Sequence, residues 1–220
     1  MISREQEKIQ IARMQNVLKM DPNAGNNGYM IRSLYFDDFC NSAYEDKIIG
    51  IANRKKYRIR IYDYSERIIK LECKQKQGNY IYKEAASLTR EEVYLILDGY
   101  YDFLLHHKEP LCQRFYIACV SELLRPKVIV DYDRIPYIYD AGTVRVTFDS
   151  HVRAGIGSFD IFDRNIPTLE TMDSGRLIME VKYTEFLPQV VQNILPLDSG
   201  EYTSASKYCM CLEEKERLVM

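Results

Sequence analysis

Apolar and polar residues alternate in several short stretches of this chain, as they do in strands with one buried face. In one stretch, Ile59 and Ile61 alternate with Arg58 and Arg60. Because successive side chains of a strand point to opposite faces, each stretch predicts a strand with one apolar and one polar face. The pattern predicts strands at about residues 29–37, 47–52, 55–63, 67–76, 79–86, 126–134, 143–150 and 177–183.

Elsewhere the apolar residues recur at helical spacing. Ser3 with Gln6, and Thr89 with Glu92, have the spacing of a capping box, which predicts that helices begin there. Residues Arg153–Ser174 contain glycines and a proline and predict a loop. The predicted helices cover about residues 4–19, 89–104, 111–124, Pro188 to near Pro196, and Ala205–Lys215.

Together these elements predict one α+β domain over residues 1–220. Strands with one apolar face need cover, and helices can supply it from outside. The polar faces would then line the inside of a closed or nearly closed antiparallel barrel of about eight strands. The alternative is an open sheet with helices on one face and water on the other.

The polar faces of the predicted strands carry mostly arginine and lysine. The cations predicted to share one lumen are Arg58, Arg60, Lys74, Arg134, Arg145 and Lys182. Enclosing them without counter-charge is costly, so the lumen must hold water, carboxylates or an anionic ligand. The planar fork of arginine suits phosphate, and lysine adds a compact charge.

Two further positions extend this prediction. Glu180 lies among the cations and is best explained as an oxygen ligand for Mg²⁺ or Mn²⁺. Ser206 and Lys207 lie in the first turn of the last predicted helix, where free N–H groups and a cation make a ready anion site. The three histidines, His106, His107 and His151, have no evident partner for a catalytic triad. The pattern therefore favours a site that binds a polyanion together with a metal ion.

Composition narrows the partners and the location. Lys and Arg number 30 against 32 Asp and Glu, so the net charge of −2 excludes a globally basic nucleic-acid binder. The chain has no run of about 18 apolar residues, and its N-terminus is too polar for a secretion signal. These features predict a cytoplasmic protein without direct membrane insertion.

Seven motifs occur in an order that carries a family resemblance. They are Ile31-Arg-Ser-Leu-Tyr-Phe-Asp37, Arg54-Lys-Lys-Tyr-Arg-Ile-Arg60, Leu71-Glu-Cys-Lys74, Arg125-Pro-Lys-Val-Ile-Val-Asp-Tyr-Asp-Arg134, Val144-Arg-Val-Thr-Phe-Asp149, Met179-Glu-Val-Lys-Tyr183 and Ser206-Lys207. This ordered set resembles the polyphosphate polymerase domain of the vacuolar transporter chaperone (VTC) family. That domain belongs to the triphosphate tunnel metalloenzymes, with the CYTH proteins. The resemblance covers nearly the whole chain.

The resemblance implies an eight-stranded tunnel that transfers the γ-phosphate of ATP to inorganic polyphosphate with Mn²⁺ or Mg²⁺. It assigns phosphate binding or catalysis to Arg58, Arg60, Lys74, Arg134, Arg145 and Lys207. It assigns substrate contacts to Lys83, Ser206 and Tyr132, while Lys182 and Glu72 face the lumen by alternation. Glu180 matches the metal-binding glutamate, and Glu72 is the next metal candidate.

One departure from the family pattern concerns the start of the chain. Family members begin with a strand carrying basic and acidic residues, whereas Met1-Ile2-Ser3 already leads into the first helix. We therefore expect an open or partly flattened tunnel that lacks its first strand, with an unpaired edge at strand 29–37 or its neighbour.

The chemistry leaves several hypotheses open. Polyphosphate synthesis from ATP is favoured, and a tripolyphosphatase or nucleoside triphosphatase of the same fold needs the same cations and metal. A module that binds polyphosphate or nucleotide without catalysis is the third hypothesis, and a scaffold with solvated charged faces is the fourth. The expected ligands are ATP and inorganic polyphosphate or triphosphate. A membrane-protein or homo-oligomer partner is left open.

Overall fold

A computed structural model describes residues 1–25, 27–173, 175–195 and 200–218 of the chain. The strands in this part are β1 (Ile2–Ser3), β2 (Lys19–Met20), β3 (Tyr29–Asp37), β4 (Asn53–Tyr62), β5 (Ser65–Gln77), β6 (Tyr80–Ser87), β7 (Arg125–Tyr139), β8 (Val144–Gly155), β9 (Thr168–Glu170) and β10 (Arg176–Lys182). The α-helices are α1 (Arg4–Met14), α2 (Ser42–Ile49), α3 (Arg90–Leu97), α4 (Pro110–Ser121), α5 (Gln189–Ile194) and α6 (Lys207–Arg217).

The strands form one antiparallel sheet with the hydrogen-bonded order β1-β10-β8-β7-β3-β4-β5-β6, while β2 pairs with β7 and β9 with β8. Among the described residues, this order begins at β1 and ends at β6 without a pairing between them. The α+β class and the antiparallel sheet are confirmed, and over the described residues the sheet is open, as expected for an open or partly flattened tunnel. The predicted unpaired edge at strand 29–37 or its neighbour is wrong, because β3 lies between β7 and β4 and each of these two strands has a second partner.

The chain divides into two compact units, and each is described by itself. The first unit comprises Met1–Met30, Tyr132–Val152 and Glu170–Ser206. The second unit comprises Ile31–Asp131, Arg153–Leu169 and Lys207–Met220. One domain over residues 1–220 stays a prediction.

In the second unit, the apolar faces of β3, β4 and β5 form a core with α3 and α4. Leu34, Ile59 and Leu71 lie on the strand side of this core, and Ile96 and Phe115 lie on the helix side. Thr89 accepts a hydrogen bond from the Glu92 N–H, and the Glu92 carboxylate accepts one from the Thr89 N–H, so the predicted capping box of α3 is confirmed. The helices cover this face as the strand periodicity predicts.

In the first unit, a separate core lies between the sheet and two helices. Val146 and Phe148 of β8 pack with Met14 of α1 and Val191 of α5. The predicted capping box between Ser3 and Gln6 is also confirmed. The helix after it is shorter than predicted, because the chain turns after α1 and pairs Lys19–Met20 with β7.

The structure differs from the prediction in three other parts of the chain. The strand predicted at 47–52 is wrong, because Ser42–Ile49 is helical and Asp37 and Asp38 accept hydrogen bonds from its first N–H groups. The predicted loop contains β9 and the end of β8. A two-residue strand, β1, precedes α1 and pairs with β10.

The remaining boundaries are close to the prediction. The final helix begins at Lys207, two residues later than predicted. Pro196 and Ser174, which end a predicted helix and a predicted loop, lie outside the described residues.

A buried ion pair holds the 156–167 segment against the core of the second unit. Arg32 is fully buried and donates from Nε and Nη2 to the two carboxylate oxygens of Asp131, at 2.9 and 2.7 Å. Its Nη1 donates to the backbone carbonyls of Ile161 and Asp163. The pair thus ties the loop to β3 and β7.

Candidate functional site

The polar face of β3, β4 and β5 brings cations around one carboxylate in the second unit. The strand register places Arg58 directly opposite both Tyr35 and Glu72. Arg60 lies two residues farther along β4 and so projects from the same face. Strand alternation and register together assemble this site.

Three cations contact the carboxylate of Glu72. Arg58 contacts Oε2 through both Nε and Nη2 at 2.7 Å, and Arg60 Nη1 lies 3.5 Å from the same oxygen. Lys83 of β6 places its ammonium 2.5 Å from Oε1. We call these four residues the Glu72 cluster.

The cluster changes the acidity of Glu72. Burial by itself raises the pKa of this carboxyl, but the charges of Arg60, Arg58 and Lys83 lower it to about 2. The pKa of Lys83 is lowered because burial outweighs the attraction of Glu72. Glu72 is therefore ionised at neutral pH and acts as the counter-ion of the two arginines.

A row of three lysines on the same face includes Lys83 of the cluster and two neighbours. Lys56 is opposite Lys74, and Lys74 is opposite Lys83 in the strand register. Lys74 is exposed, and burial lowers the pKa of Lys56. This arrangement presents adjacent positive charges along one face of the second unit.

Two tyrosines support Arg58 and the start of α6. Arg58 Nη1 donates to the Tyr35 hydroxyl at 2.7 Å, and the Tyr35 ring stacks on Tyr208 with centroids 5.0 Å apart. The Tyr208 hydroxyl donates to Asp37 at 2.5 Å. Lys207 is the first residue of α6, directly before Tyr208, and both Lys207 and Ser206 are half-buried.

In the first unit, Arg134 is paired with a buried aspartate. Its Nε and Nη2 donate to the two oxygens of Asp149, at 2.6 and 2.7 Å. Although burial alone lowers the pKa of Arg134, the hydrogen bonds to Asp149 raise it above its usual value. The guanidinium also lies 5.2 Å from the centroid of the Tyr132 ring.

The backbone of Gly28 lies close against the strand that carries Arg134. Gly28 has a φ of +82°, and a Cβ at this position would lie 2.1 Å from the Arg134 carbonyl oxygen. Only glycine combines this dihedral with this approach.

Arg145 has an acidic and a phenolic partner within the first unit. Its Nη2 lies 2.8 Å from Asp21 and donates to the Tyr29 hydroxyl at 3.0 Å. Burial by itself raises the pKa of Asp21, but hydrogen bonds from Asn23 and the charge of Arg145 lower it. Arg145 is thus held by groups from the turn and strand that follow α1.

Glu180 lies on β10, which pairs with β8 in the first unit. In the register of β10 and β8, Glu180 is opposite Thr147, and Lys182 is opposite Arg145. Lys182 Nζ lies 3.1 Å from the Glu180 carboxylate. The Thr147 hydroxyl is buried without a hydrogen-bond partner.

The donor set at Glu180 fits a hard divalent ion. A carboxylate and an orphaned buried hydroxyl supply oxygen ligands, which Mg²⁺ and Mn²⁺ prefer. Within the described ranges no group of three His, Cys, Asp or Glu residues could hold a metal by itself. The protein would therefore supply few ligands, as is usual where substrate phosphates and waters complete the shell of such an ion.

The structure places the predicted site residues in two groups. In the second unit, Arg58, Arg60, Lys83 and Glu72 are in direct contact, and Lys74 is their neighbour on the same face. In the first unit lie Tyr132, Arg134, Arg145, Glu180 and Lys182. That both groups line one cavity stays a prediction.

Sequence patterns did not identify two of the counter-ions or the phenols that hold the cations. Asp149 lies on the same face of β8 as Arg145, and Tyr35 lies on the same face of β3 as Asp37. Strand alternation alone could therefore have indicated that both side chains lie on the polar face. Asp21 comes from a turn, and no periodicity predicts its contact with Arg145.

The sequence profile of the VTC domain matches residues 3–214. The chain belongs to the VTC domain family. The match covers parts of both units and includes strands β2 to β10 of this VTC domain. A comparison with curated proteins found no match.

One solved structure shares the fold of this VTC domain, and two others align with it at lower TM-scores. A candidate adenylyl cyclase from Hippeastrum, described as having a dominant triphosphatase activity, aligns with a TM-score of 0.53 and 13% identity over 97% of this chain and 92% of that one. PH1819 protein from Pyrococcus horikoshii aligns with a TM-score of 0.49 and 10% identity over 94% of each chain. A candidate adenylate cyclase from Bacillus halodurans aligns with a TM-score of 0.44 and 18% identity, over 68% of this chain and 69% of that one.

These comparisons confirm the resemblance drawn from the ordered motifs. The fold is that of the triphosphate tunnel proteins, in a form whose sheet is open among the described residues. Family and fold together support phosphoryl transfer on a tunnel fold. None of the helices in the described ranges has the length and apolar character that a membrane crossing requires.

Proposed function

We propose that this VTC domain catalyses metal-dependent phosphoryl transfer and that its reaction is ATP-dependent synthesis of polyphosphate. The Glu72 cluster is the observation that carries the proposal. Two arginines and a lysine are held around one buried counter-ion on an accessible polar face. Arginine binds phosphate oxygens in pairs, and a held guanidinium needs little reorganisation when the phosphate arrives.

In the proposed reaction, a terminal phosphate oxygen of the growing chain attacks the γ-phosphorus of ATP. A new P–O–P bond forms, the bond to the β-phosphate oxygen breaks, and ADP leaves with the electron pair. Arg58 and Arg60 would neutralise charge on the phosphates, and Lys74, Lys83 and Lys207 would extend the cationic surface. Within the first unit, the residues proposed to bind phosphate are Arg134, Arg145, Lys182, Ser206 and Tyr132.

The proposed metal ligand is Glu180, with Thr147 opposite it in the register. A bound Mn²⁺ or Mg²⁺ supplies charge neutralisation on the phosphate oxygens. Glu72 is less suited to this role, because three cations already contact its carboxylate. Glu72 is proposed to position the arginines instead.

Hydrolysis of a triphosphate is the second candidate function. The Hippeastrum protein is described as having a dominant triphosphatase activity and shares the fold at a TM-score of 0.53. Hydrolysis would use the same cations. A water oxygen would attack the terminal phosphorus and lose its proton to solvent, the bond to the bridging oxygen would break, and ADP or pyrophosphate would leave with the electron pair, so that the attacked phosphorus is released as inorganic phosphate. The proposed ligands of either activity are ATP and inorganic polyphosphate or triphosphate.

Incubation of the full chain with ATP and Mn²⁺ tests the proposal when polyphosphate, free phosphate and ADP are measured separately. Synthesis gives polyphosphate and ADP in step, whereas hydrolysis gives free phosphate and ADP. Recovery of ATP without any of these products would exclude both reactions. Free phosphate without polyphosphate would select the second candidate.

Glu180→Gln tests the metal site in the same assay. The amide keeps the shape of the side chain but removes the anionic oxygen that a hard ion prefers, so metal-dependent turnover should be lost while the melting temperature is retained. Glu170→Gln, which changes an exposed carboxylate of the first unit, is the matched control. An unchanged Mn²⁺ dependence in Glu180→Gln would place the metal elsewhere.

A further inference from the structure

Arg58 is held on two sides in the second unit. Glu72 contacts its Nε and Nη2, and the Tyr35 hydroxyl accepts a hydrogen bond from its Nη1 at 2.7 Å. Tyr35 lies directly opposite Arg58 in the register of β3 and β4. The plane of the guanidinium is therefore set by one contact from each neighbouring strand.

Tyr35 is itself locked in place. It is 8% exposed, and its ring stacks on Tyr208 at a centroid distance of 5.0 Å and an interplanar angle of 26°. The Tyr208 hydroxyl donates to Asp37 at 2.5 Å, and the Lys56 ammonium lies 5.1 Å from the Tyr208 ring centroid. The phenol that meets Arg58 thus has little rotational freedom.

The same two rings reach the start of α6. Tyr208 follows Lys207, the first residue of that helix and the lysine that matches the closing position of the family motif. Asp37 also accepts hydrogen bonds from the N–H groups of Ala43 and Tyr44, which begin α2. Asp37 therefore joins the first turn of α2 to the ring that supports Tyr35.

We propose that Tyr35 and Tyr208 are positioning residues for phosphate binding: Tyr35 orients the Arg58 guanidinium, and Tyr208 fixes Tyr35 through α6. The inference rests on the proposed function, because it assigns Arg58 to the phosphate. The charges of Arg58 and Arg60 lower the pKa of Tyr35 although burial by itself raises it, as expected for a phenol oxygen that faces guanidinium groups. Neither tyrosine needs to touch the substrate.

A double-mutant cycle with tripolyphosphate as the ligand tests the inference by calorimetry on the full chain. Tyr35→Phe keeps the stacked ring and removes only the oxygen that accepts from Arg58. We expect it to weaken binding roughly five- to tenfold, as for one lost charge-assisted hydrogen bond acting through the guanidinium. In an Arg58→Ala background, Tyr35→Phe should change the affinity less than twofold, because its effect passes through Arg58.

Tyr57→Phe is the matched control. Tyr57 of β4 is buried like Tyr35 but faces the core, where its hydroxyl contacts Cys73. Loss of this hydroxyl should leave the affinity for tripolyphosphate unchanged. Tyr208→Leu removes the stacked ring and should weaken tripolyphosphate binding, as Tyr35→Phe does. It should add little to Tyr35→Phe.

A second measurement does not depend on ligand. The Arg58 Nε–H signal in NMR should exchange faster with water in Tyr35→Phe than in the unchanged protein or in Tyr57→Phe, because the guanidinium loses one of its two supports. Equal exchange in all three proteins would overturn the inference.

The binding results separate the possible failures. An equal loss of affinity in both Arg58 backgrounds would overturn the inference, because Tyr35 would then act without Arg58. Unchanged binding in Tyr35→Phe would overturn it while leaving the proposed function standing. If the unchanged protein does not bind tripolyphosphate, the inference and the proposed function both fail.

Discussion

At the scale of single residues, each of the four arginines among the candidate site residues has an acidic partner. Arg58 and Arg60 contact Glu72, Arg134 contacts Asp149, and Arg145 contacts Asp21. The pairing lowers the repulsion that a row of arginines on one face would otherwise create. It also holds each guanidinium in a defined orientation before a phosphate binds.

Glu72 should make folding stability sensitive to acid. Its pKa of about 2 in the folded protein lies below the usual 4.5, so the ionised carboxylate stabilises the fold above about pH 4.5. This contribution, about 3 kcal/mol, is lost as the pH falls towards 2. Urea unfolding should show Glu72→Gln to be less stable than the unchanged protein near neutral pH, with a smaller difference near pH 3.

A control for this experiment is Glu66→Gln, which changes an exposed carboxylate that pairs with Arg90 of α3. Its effect on the free energy of unfolding should be within about 0.5 kcal/mol at each pH. A difference between Glu72→Gln and the unchanged protein that does not vary with pH would contradict the assigned role of Glu72 as an ionised counter-ion.

Arg58→Ala should weaken tripolyphosphate binding by about 1.5–3 kcal/mol, as expected for a lost charge-assisted hydrogen bond. Titration calorimetry measures this change directly. Arg90→Ala is the matched control, because Arg90 is an exposed arginine of the second unit whose partners are Glu66 and Tyr94. Equal losses in the two variants would show that only net charge matters.

At the scale of elements, the buried pair of Arg32 and Asp131 joins β3 and β7 to the loop through Ile161 and Asp163. An unpaired charge in this position has no access to water, because both side chains have no exposed surface. The pair therefore holds elements together that are far apart in the sequence.

Asp131→Ala should destabilise the protein by about 3–5 kcal/mol, because it leaves the charge of Arg32 buried and unpaired. Denaturant unfolding measures this loss, and amide exchange should become faster in the 156–167 segment. Thr89→Ala, which removes only the cap of α3, should cost about 1 kcal/mol and leave that segment unchanged. Equal losses in both variants would contradict a special role for the pair.

At the scale of the whole molecule, a cationic sheet face should be more stable with its anionic ligand bound. Tripolyphosphate at 100 times its dissociation constant should add about 2.7 kcal/mol to the stability of the folded state. The melting temperature should therefore rise with tripolyphosphate, less so in Arg58→Ala and less so at high salt. A rise of the same size with equimolar sulfate would indicate a general ionic effect.

The sequence by itself determined the faces of the strands and the chemistry they carry. The alternation of arginine with isoleucine in β4 identified Arg58 and Arg60 as neighbours on one polar face, and two capping boxes located the starts of α1 and α3. Local periodicity and capping depend on residues close in sequence, so they can be read without a fold.

Only the tertiary structure decided how these faces are paired and neutralised. The strand register brought Glu72 to Arg58, and a turn brought Asp21 to Arg145. Capping by Asp37 and Asp38 made residues 42–49 a helix although their apolar pattern predicted part of a strand. Contacts between residues distant in sequence depend on register and packing, which periodicity alone does not contain.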